Sequence, residues 1–310
     1  MPKFSVIISV YNKASHIKET LDSVLRQTFT DYEIIVVNDA STDRSDEIIN
    51  SISKKKIKYI LLDKNVGAGA ARNIGINIAK GDYISLLDGD DLWKPDYLKE
   101  MMALIKAFKN HRVFTAQLIR ETKNSSSLCN YSFSTAGNTK MLDLDFFKSS
   151  FKQCVLHSSS TTLHREVFNN IGNYDPTIKS GQDTDLWIRI GLAYRIAFST
   201  TPLVIYKFAP KSLYKSIKST KDCLKLNKFK EEEKENKALK KYLDLNRYSL
   251  TLRARLWGEK QQAKDYLKNL DKKNLTRRQR WLVGLPISML KMALKTQGGL
   301  EKLGIRLSSF

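Results

Sequence analysis

The first hundred residues alternate aliphatic runs with amphipathic helical patterns, and that alternation leaves few ways to fold. Phe4-Ser-Val-Ile-Ile-Ser-Val10, Glu33 to Val37, Ile57 to Leu62 and Tyr83 to Leu87 are dominated by aliphatic and β-branched residues. Strands that lack polar alternation are buried on both faces, as in a parallel sheet covered by helices. Between them, Ala14 to Gln27 places Ile17, Leu21, Val24 and Leu25 at helical spacing. Ser45 to Ile52 and the glycine-initiated stretch Gly67 to Ala79 read as two more helices, and another starts near Pro95, where proline suits a first turn. The expectation is an α/β fold with a central, mostly parallel sheet flanked by helices.

The chain has 310 residues with 42% apolar composition, enough for one large core or for a core domain with an accessory part. Residues 121–140, rich in Ser, Thr and Asn, read as a loop or small hairpin near a site entrance. Thr161 to His164 reads as a short strand, Arg165 to Ile171 as a helix, and Asp183 opens a helix with Leu186, Ile190 and Ala193 on one face. Two short strands, around Arg195 to Ser199 and Leu203 to Phe208, close a first domain spanning residues 1–210. Residues 211–310 lose the β-branched runs and read as a mainly helical extension. Within it, Glu233 and Lys237 are spaced for an i,i+4 pair on a solvated helix face.

Charge is unevenly distributed. Residues 211–310 hold 26 Lys and Arg against 10 Asp and Glu, so most of the net charge of +21 lies in the extension. Such a surface attracts phosphates on lipids, lipid-linked glycans or nucleic acid. The three cysteines, Cys129, Cys154 and Cys223, have no C-x-x-C spacing, which argues against a disulfide framework or thiolate zinc site. Neither a signal-like opening nor a run of about twenty apolar residues is present, so a cytoplasmic location without membrane spans is expected.

Candidate chemistry collects at the strand ends. The run from Tyr83 ends in Asp88-Gly-Asp-Asp91, and alternation along a strand lets Asp88 and Asp90 face a divalent cation together while Gly89 leaves room for a ligand. An isolated cluster of this kind arises equally from turn chemistry. Ligands in open α/β sheets lie beyond the carboxyl ends of the strands, where Tyr11-Asn12, Asp39 and Asn65 to Asn73 also fall. Asp39 reads as a turn residue or as an acceptor for a nucleobase or ribose proton. Arg72 reads as a diphosphate partner or as part of a helix whose small residues serve packing.

Five segments in order carry a family resemblance: Ser5-Val-Ile-Ile-Ser-Val-Tyr-Asn12, Val36-Val-Asn-Asp-Ala-Ser-Thr-Asp43, Ala70-Ala-Arg-Asn73 with Gly75, Leu86-Leu-Asp-Gly-Asp-Asp91 and Gly181-Gln-Asp-Thr-Asp-Leu-Trp187. The series resembles family 2 glycosyltransferases of the GT-A fold over residues 4–210. The resemblance implies that Asp39 accepts from the uracil of a UDP-sugar, with Tyr11 near the base and Arg72 near the phosphates. It implies that Asp88 and Asp90 form the D-x-D that holds Mn²⁺ or Mg²⁺ against the diphosphate, with Asp91 a further supporting or turn carboxylate. Asp183 matches the general base that deprotonates the acceptor hydroxyl. Gln182 replaces the family's glutamate before that base, which removes a charge and alters acceptor contacts. Asp185 is the second candidate base, and Trp187 either packs the helix or stacks on the acceptor. His157 either lines the acceptor pocket or is structural.

These implications amount to an inverting transfer of one hexosyl or N-acetylhexosaminyl group to a glycan or lipid-linked acceptor in bacterial lipopolysaccharide or capsule synthesis. The Q-x-x-R-W motif of the family's processive members is not met by Arg277-Arg-Gln-Arg-Trp281. Trp281 to Leu294 is apolar but interrupted by Pro286 and Lys291, so it suits either packing or an interfacial position on the inner face of the cytoplasmic membrane. A sugar-1-phosphate nucleotidyltransferase lacks support without a glycine-rich, lysine-bearing phosphate loop. A nucleic-acid-binding protein is not expected, because the basic tail has no helix-turn-helix or zinc pattern.

Overall fold

The computed structural model describes residues 1–52, 56–122, 125–135, 137, 139–207 and 218–302, with side chains to residue 296. The chain divides into two compact units, Met1–Pro210 and Lys211–Phe310.

The first unit is built on a ten-stranded sheet. Its parallel half consists of β1 (Phe4–Val10), β2 (Tyr32–Asn38), β3 (Ile57–Leu61) and β4 (Tyr83–Asp88), in the order β3-β2-β1-β4. Val6, Ile7, Ile8 and the Ile34–Val37 run are fully buried, which is why these strands read as continuous apolar segments. Helices α1 (Ile17–Leu25), α2 (Ser45–Asn50) and α3 (Ala68–Ile78) connect them. The α3 helix lies close to β1 at Gly75, where an added Cβ would come within 2.6 Å of Ile7 Cγ2.

The other half is mixed. After β5 (Leu92–Trp93) and α4 (Tyr97–Ala107) come β6 (Val113–Glu121), β7 (Ser126–Leu128), β8 (Met141–Leu144) and α5 (Phe146–Ser149). They are followed by β9 (Thr161–His164), α6 (Glu166–Ile171), α7 (Gln182–Ala193) and β10 (Ile196–Lys207). The β9 strand runs antiparallel to both β4 and β6, joining the two halves, whereas β10 is parallel to β6. Where the sequence suggests two strands at 195–199 and 203–208, one strand continues through a register shift between Ser199 and Val204, centred on Pro202. A bulge accommodates the residue that cannot donate a ladder hydrogen bond. Phe208 lies outside the described residues.

The parallel register aligns the strand tips. Ser9 pairs with Asp88, and Val10 pairs with Asn38. Tyr11, Asp39 and Gly89 therefore leave the sheet at one edge.

The second unit is helical over its described residues. Its helices are α8 (Glu232–Glu235), α9 (Lys237–Leu256), α10 (Lys260–Lys268), α11 (Arg277–Gly284) and α12 (Ile287–Lys302), and the last four pack around a cluster formed by Tyr248, Leu252, Leu270, Leu275, Leu282, Val283, Leu285 and Leu290. The expected Glu233–Lys237 pair is replaced by an inward one. Asn236 interrupts the helix and caps α9 through its Oδ1, which accepts from Ala238 N and Leu239 N at 3.0 and 2.9 Å. Glu233 meets the buried guanidinium of Arg247 at 2.6 Å instead of lying along a solvated face.

Candidate active site

Two loops at the sheet edge are stitched together by backbone-to-side-chain bonds. Asn12 and Ala40 adopt left-handed backbone conformations, with φ of 52° and 54°. Asn12 Oδ1 accepts from Thr42 N at 2.8 Å, Ser45 Oγ accepts from Lys13 N at 2.9 Å, and Asp43 Oδ2 accepts from Ala14 N at 2.9 Å. The Asn38–Asp43 turn is thus the partner that fixes the end of β1. Tyr11 stays 46% exposed beside it, available to a ligand. Asp39 is buried, and its carboxylate accepts from Val66 N at 2.7 Å and Gly67 N at 2.9 Å. It orders the loop that leads into α3, and a nucleobase would have to use its remaining lone pairs.

Arg72 is the centre of the cluster. It projects from α3, is 5% exposed, and donates to Asp88 Oδ1 at 2.6 Å and to Asp183 Oδ1 at 3.5 Å. Tyr174 lies against the guanidinium, 5.4 Å from ring centroid to Cζ. Asn73 fixes that tyrosine by reciprocal bonds to its backbone, donating to Tyr174 O at 2.8 Å and accepting from Tyr174 N at 3.0 Å. The Arg72-Asn73 pair therefore acts as a unit: one residue spans the carboxylates and the next holds the aromatic wall behind it.

Asp183 sits in the first turn of α7, after Gly181 in the left-handed conformation at φ 84°. Its side chain is 38% exposed, more than the 25% of Asp88 or the 14% of Asp90. Ser158 Oγ also donates to its Oδ1, at 3.2 Å. An exposed carboxylate held through one oxygen is able to take a proton from an incoming hydroxyl. Asp185, by contrast, is fully buried and paired with Arg189 at 2.9 Å. Trp187 is 3% exposed and Gln182 is 7% exposed, so both belong to the packed side of α7.

The carboxylates of Asp88-Gly-Asp-Asp91 diverge. Asp90 pairs with Lys13, whereas Asp91 is buried and accepts from Ser159 Oγ and, at 3.0 Å, from Lys207 N. Gly89 packs inward rather than opening a space: a Cβ there would lie 3.2 Å from Ser9 O and 3.4 Å from Lys13 Cγ. Among the described residues, the donor atoms that converge are those of Asp88, Asp91 and His157, all within 4.8 Å of one another. The sequence paired Asp88 with Asp90 for this purpose.

Burial alone would raise the Asp88 carboxyl, but the Arg72 guanidinium, helped by His157 and Lys13, holds it below the usual range. Asp91 responds the opposite way. Burial pushes it well above the usual range, and the charges of Asp88 and Asp90 push further. Burial lowers His157 against the pull of Asp88 and Asp183. Its Nδ1 accepts from Ser159 N at 3.1 Å, which leaves the proton of the neutral ring on Nε2 and makes it the weakest metal donor of the three. The carboxylates of Asp88 and Asp91 suit a hard divalent cation.

Lys13, Ser158, Ser159 and Tyr174 were not singled out from the sequence. Ser158 and Ser159 lie in a 3-10 turn, Ser158–Ser160, between His157 and β9. The Ser158-Ser-Ser-Thr-Thr162 run was the available signal.

The family model described as Glycosyl transferase family 2 matches residues 5–171, more than half of the chain. The chain belongs to glycosyltransferase family 2. An uncharacterised glycosyltransferase of Rickettsia prowazekii is 32% identical over 205 residues, covering 66% of this chain and 63% of its own. One of Haemophilus influenzae is 40% identical over 117 residues, covering 37% of this chain and 46% of its own. This family 2 chain spans less than two thirds of the length of either relative. The structure of Staphylococcus aureus TarS 1-349 in complex with UDP-GlcNAc superposes with a TM-score of 0.63 at 20% identity, covering 96% of this chain and 80% of that one. The family 2 fold is GT-A, with C-terminal helices appended.

Proposed function

We propose that this chain is a metal-dependent, inverting glycosyltransferase that moves one sugar from a UDP-sugar to a hydroxyl of a glycan or lipid-linked acceptor. The observation that carries the reading is the Arg72 guanidinium bridging Asp88 and Asp183, which couples a donor-side carboxylate to an exposed carboxylate able to act as base. The TarS relative solved with UDP-GlcNAc supports a UDP-linked donor.

Tyr11 and Asp39 would flank the base, with Arg72 beside the diphosphate. Asp88 and Asp91, with His157 or Asp90 joining them, would hold Mn²⁺ or Mg²⁺. Such a cation supplies charge neutralisation for the departing diphosphate. Asp183 would take the proton of the acceptor hydroxyl as that hydroxyl's oxygen attacks the anomeric carbon on the face opposite the departing UDP, converting an α-linked donor into a β-linked product. Ser158 and Arg72 keep that carboxylate oriented. The basic second unit suggests work at an anionic membrane surface in bacterial cell-surface glycan synthesis. No described helix is long and apolar enough to cross a membrane.

The test is nucleotide release from a panel of nucleotide sugars with Mn²⁺, which needs no acceptor. Release of UDP from one or more donors supports the reading. Release of pyrophosphate from a nucleoside triphosphate and a sugar phosphate would instead favour a nucleotidyltransferase.

A further inference from the structure

The second unit carries a cleft of about 360 Å³ bordered by Lys264, Lys268, Lys272 and Arg280, with Leu267 and Val283 contributing apolar lining. None of these four cations forms an ion pair with a carboxylate among the described residues. Four like charges around one cleft repel one another, and an anion placed among them relieves that repulsion. The apolar lining belongs to the buried cluster of the unit, so the cleft rests on a packed base.

Helix α11 gives the neighbouring surface a second property. Arg277, Arg280, Trp281 and Gly284 are exposed, whereas Leu282 and Val283 are buried. At 3.6 residues per turn the exposed four share one face, with the indole at its edge next to Arg277. Trp281 is 56% exposed, and α12 adds Met289 at 46% and Met292 at 64%. Lys291 and Lys295 are exposed on the same helix. Indole and thioether groups beside cations suit the boundary between lipid headgroups and acyl chains. Arg255 holds the end of α11 in place, donating to Val283 O at 2.7 Å and also to Leu285 O.

We propose that this face docks on an anionic lipid bilayer, with a phosphate headgroup in the Lys264–Lys268–Lys272–Arg280 cleft and Trp281 entering the interface. The proposal rests on the membrane-surface part of the function above and is independent of its chemistry. Charge complementarity selects the occupant: every charged residue lining the cleft is basic, while the exposed Trp281, next in sequence to Arg280, would gain nothing from a soluble phosphate.

Full-length protein is sedimented with vesicles of phosphatidylglycerol and phosphatidylcholine in equal parts, and with phosphatidylcholine alone. The triple variant Lys268→Ala/Lys272→Ala/Arg280→Ala is compared with Lys99→Ala/Lys106→Ala/Lys109→Ala, which removes equal charge from exposed positions in the first unit. Each surface cation contributes about fivefold to partitioning, so the cleft variant should lose roughly a hundredfold and the control far less. Trp281→Phe should abolish the blue shift in fluorescence on vesicle addition. Equal losses in both triple variants, or an unchanged shift in Trp281→Phe, would overturn the docking face while leaving general membrane attraction intact. Wild-type protein that ignores the anionic vesicles would overturn both. Nucleotide release without vesicles, measured on the same variants, should be unchanged and tests the chemistry separately.

Discussion

The Arg72 guanidinium lies 2.6 Å from Asp88 and also reaches Asp183, 3.5 Å away, although these carboxylates are 95 positions apart in the chain. One buried cation thus ties the tip of β4 to the first turn of α7.

Removing that cation should be costly. Arg72→Met leaves Asp88 and Asp183 without their shared partner; because these carboxylates are 25% and 38% exposed, water takes up part of the loss, which should be about 1–3 kcal/mol. Urea denaturation should report a loss in that range. Arg72→Lys should retain part of the stability but lose nucleotide release, because one ammonium cannot reproduce the two-sided contact.

The raised Asp91 carboxyl predicts a pH-dependent difference. A carboxyl held higher in the folded state than in the unfolded state stabilises the fold below the unfolded value of about 3.9 and loses that contribution as pH rises through its folded value. Asp91→Asn does not lose it. The melting temperature of the variant relative to wild type should therefore be higher at neutral pH than near pH 4. A difference that does not change with pH would refute the assignment.

Gly75 tests the contact of α3 with β1. The Cβ of Gly75→Ala would meet Ile7 Cγ2 at 2.6 Å, so overpacking should cost about 1–3 kcal/mol in a denaturant melt. The helix propensity gained by alanine, about 1 kcal/mol, offsets only part of it.

In the second unit, Arg247 is buried between Glu233 and Asp244, at 2.6 and 3.0 Å. Glu233→Ala should destabilise the protein by about 1–3 kcal/mol, because Arg247 loses two charge-assisted hydrogen bonds but keeps Asp244, whereas Lys237→Ala should change stability by less than about 0.5 kcal/mol. Equal effects would restore the solvated-face pairing.

The parallel half of the sheet was legible because burial on both faces leaves an unbroken apolar run, and because polar residues collect where each strand ends. The single β10 strand was not legible, since Pro202 looks like a break unless the bulge is known. Lys13 was missed because its partner, Asp90, is 77 positions away, and nothing local to either residue signals the contact. The divergence of Asp90 and Asp91 depends on a β-turn direction that strand alternation does not predict: Asp91 N donates to Asp88 O at 3.1 Å, turning the chain. Asn236 could have been found, because an asparagine before a helical run is a strong cap signal that competes with helix continuation.

The division of labour across Arg72 can be measured directly by calorimetric titration of UDP in the presence of Mn²⁺, with acceptor-dependent transfer assayed in parallel. Asp88→Ala should lose Mn²⁺-dependent UDP binding, and Asp183→Asn should bind UDP within a few-fold of wild type while transfer falls by about 10²–10⁴-fold. Unimpaired metal-dependent UDP binding by Asp88→Ala, or near-wild-type transfer by Asp183→Asn, would contradict the account.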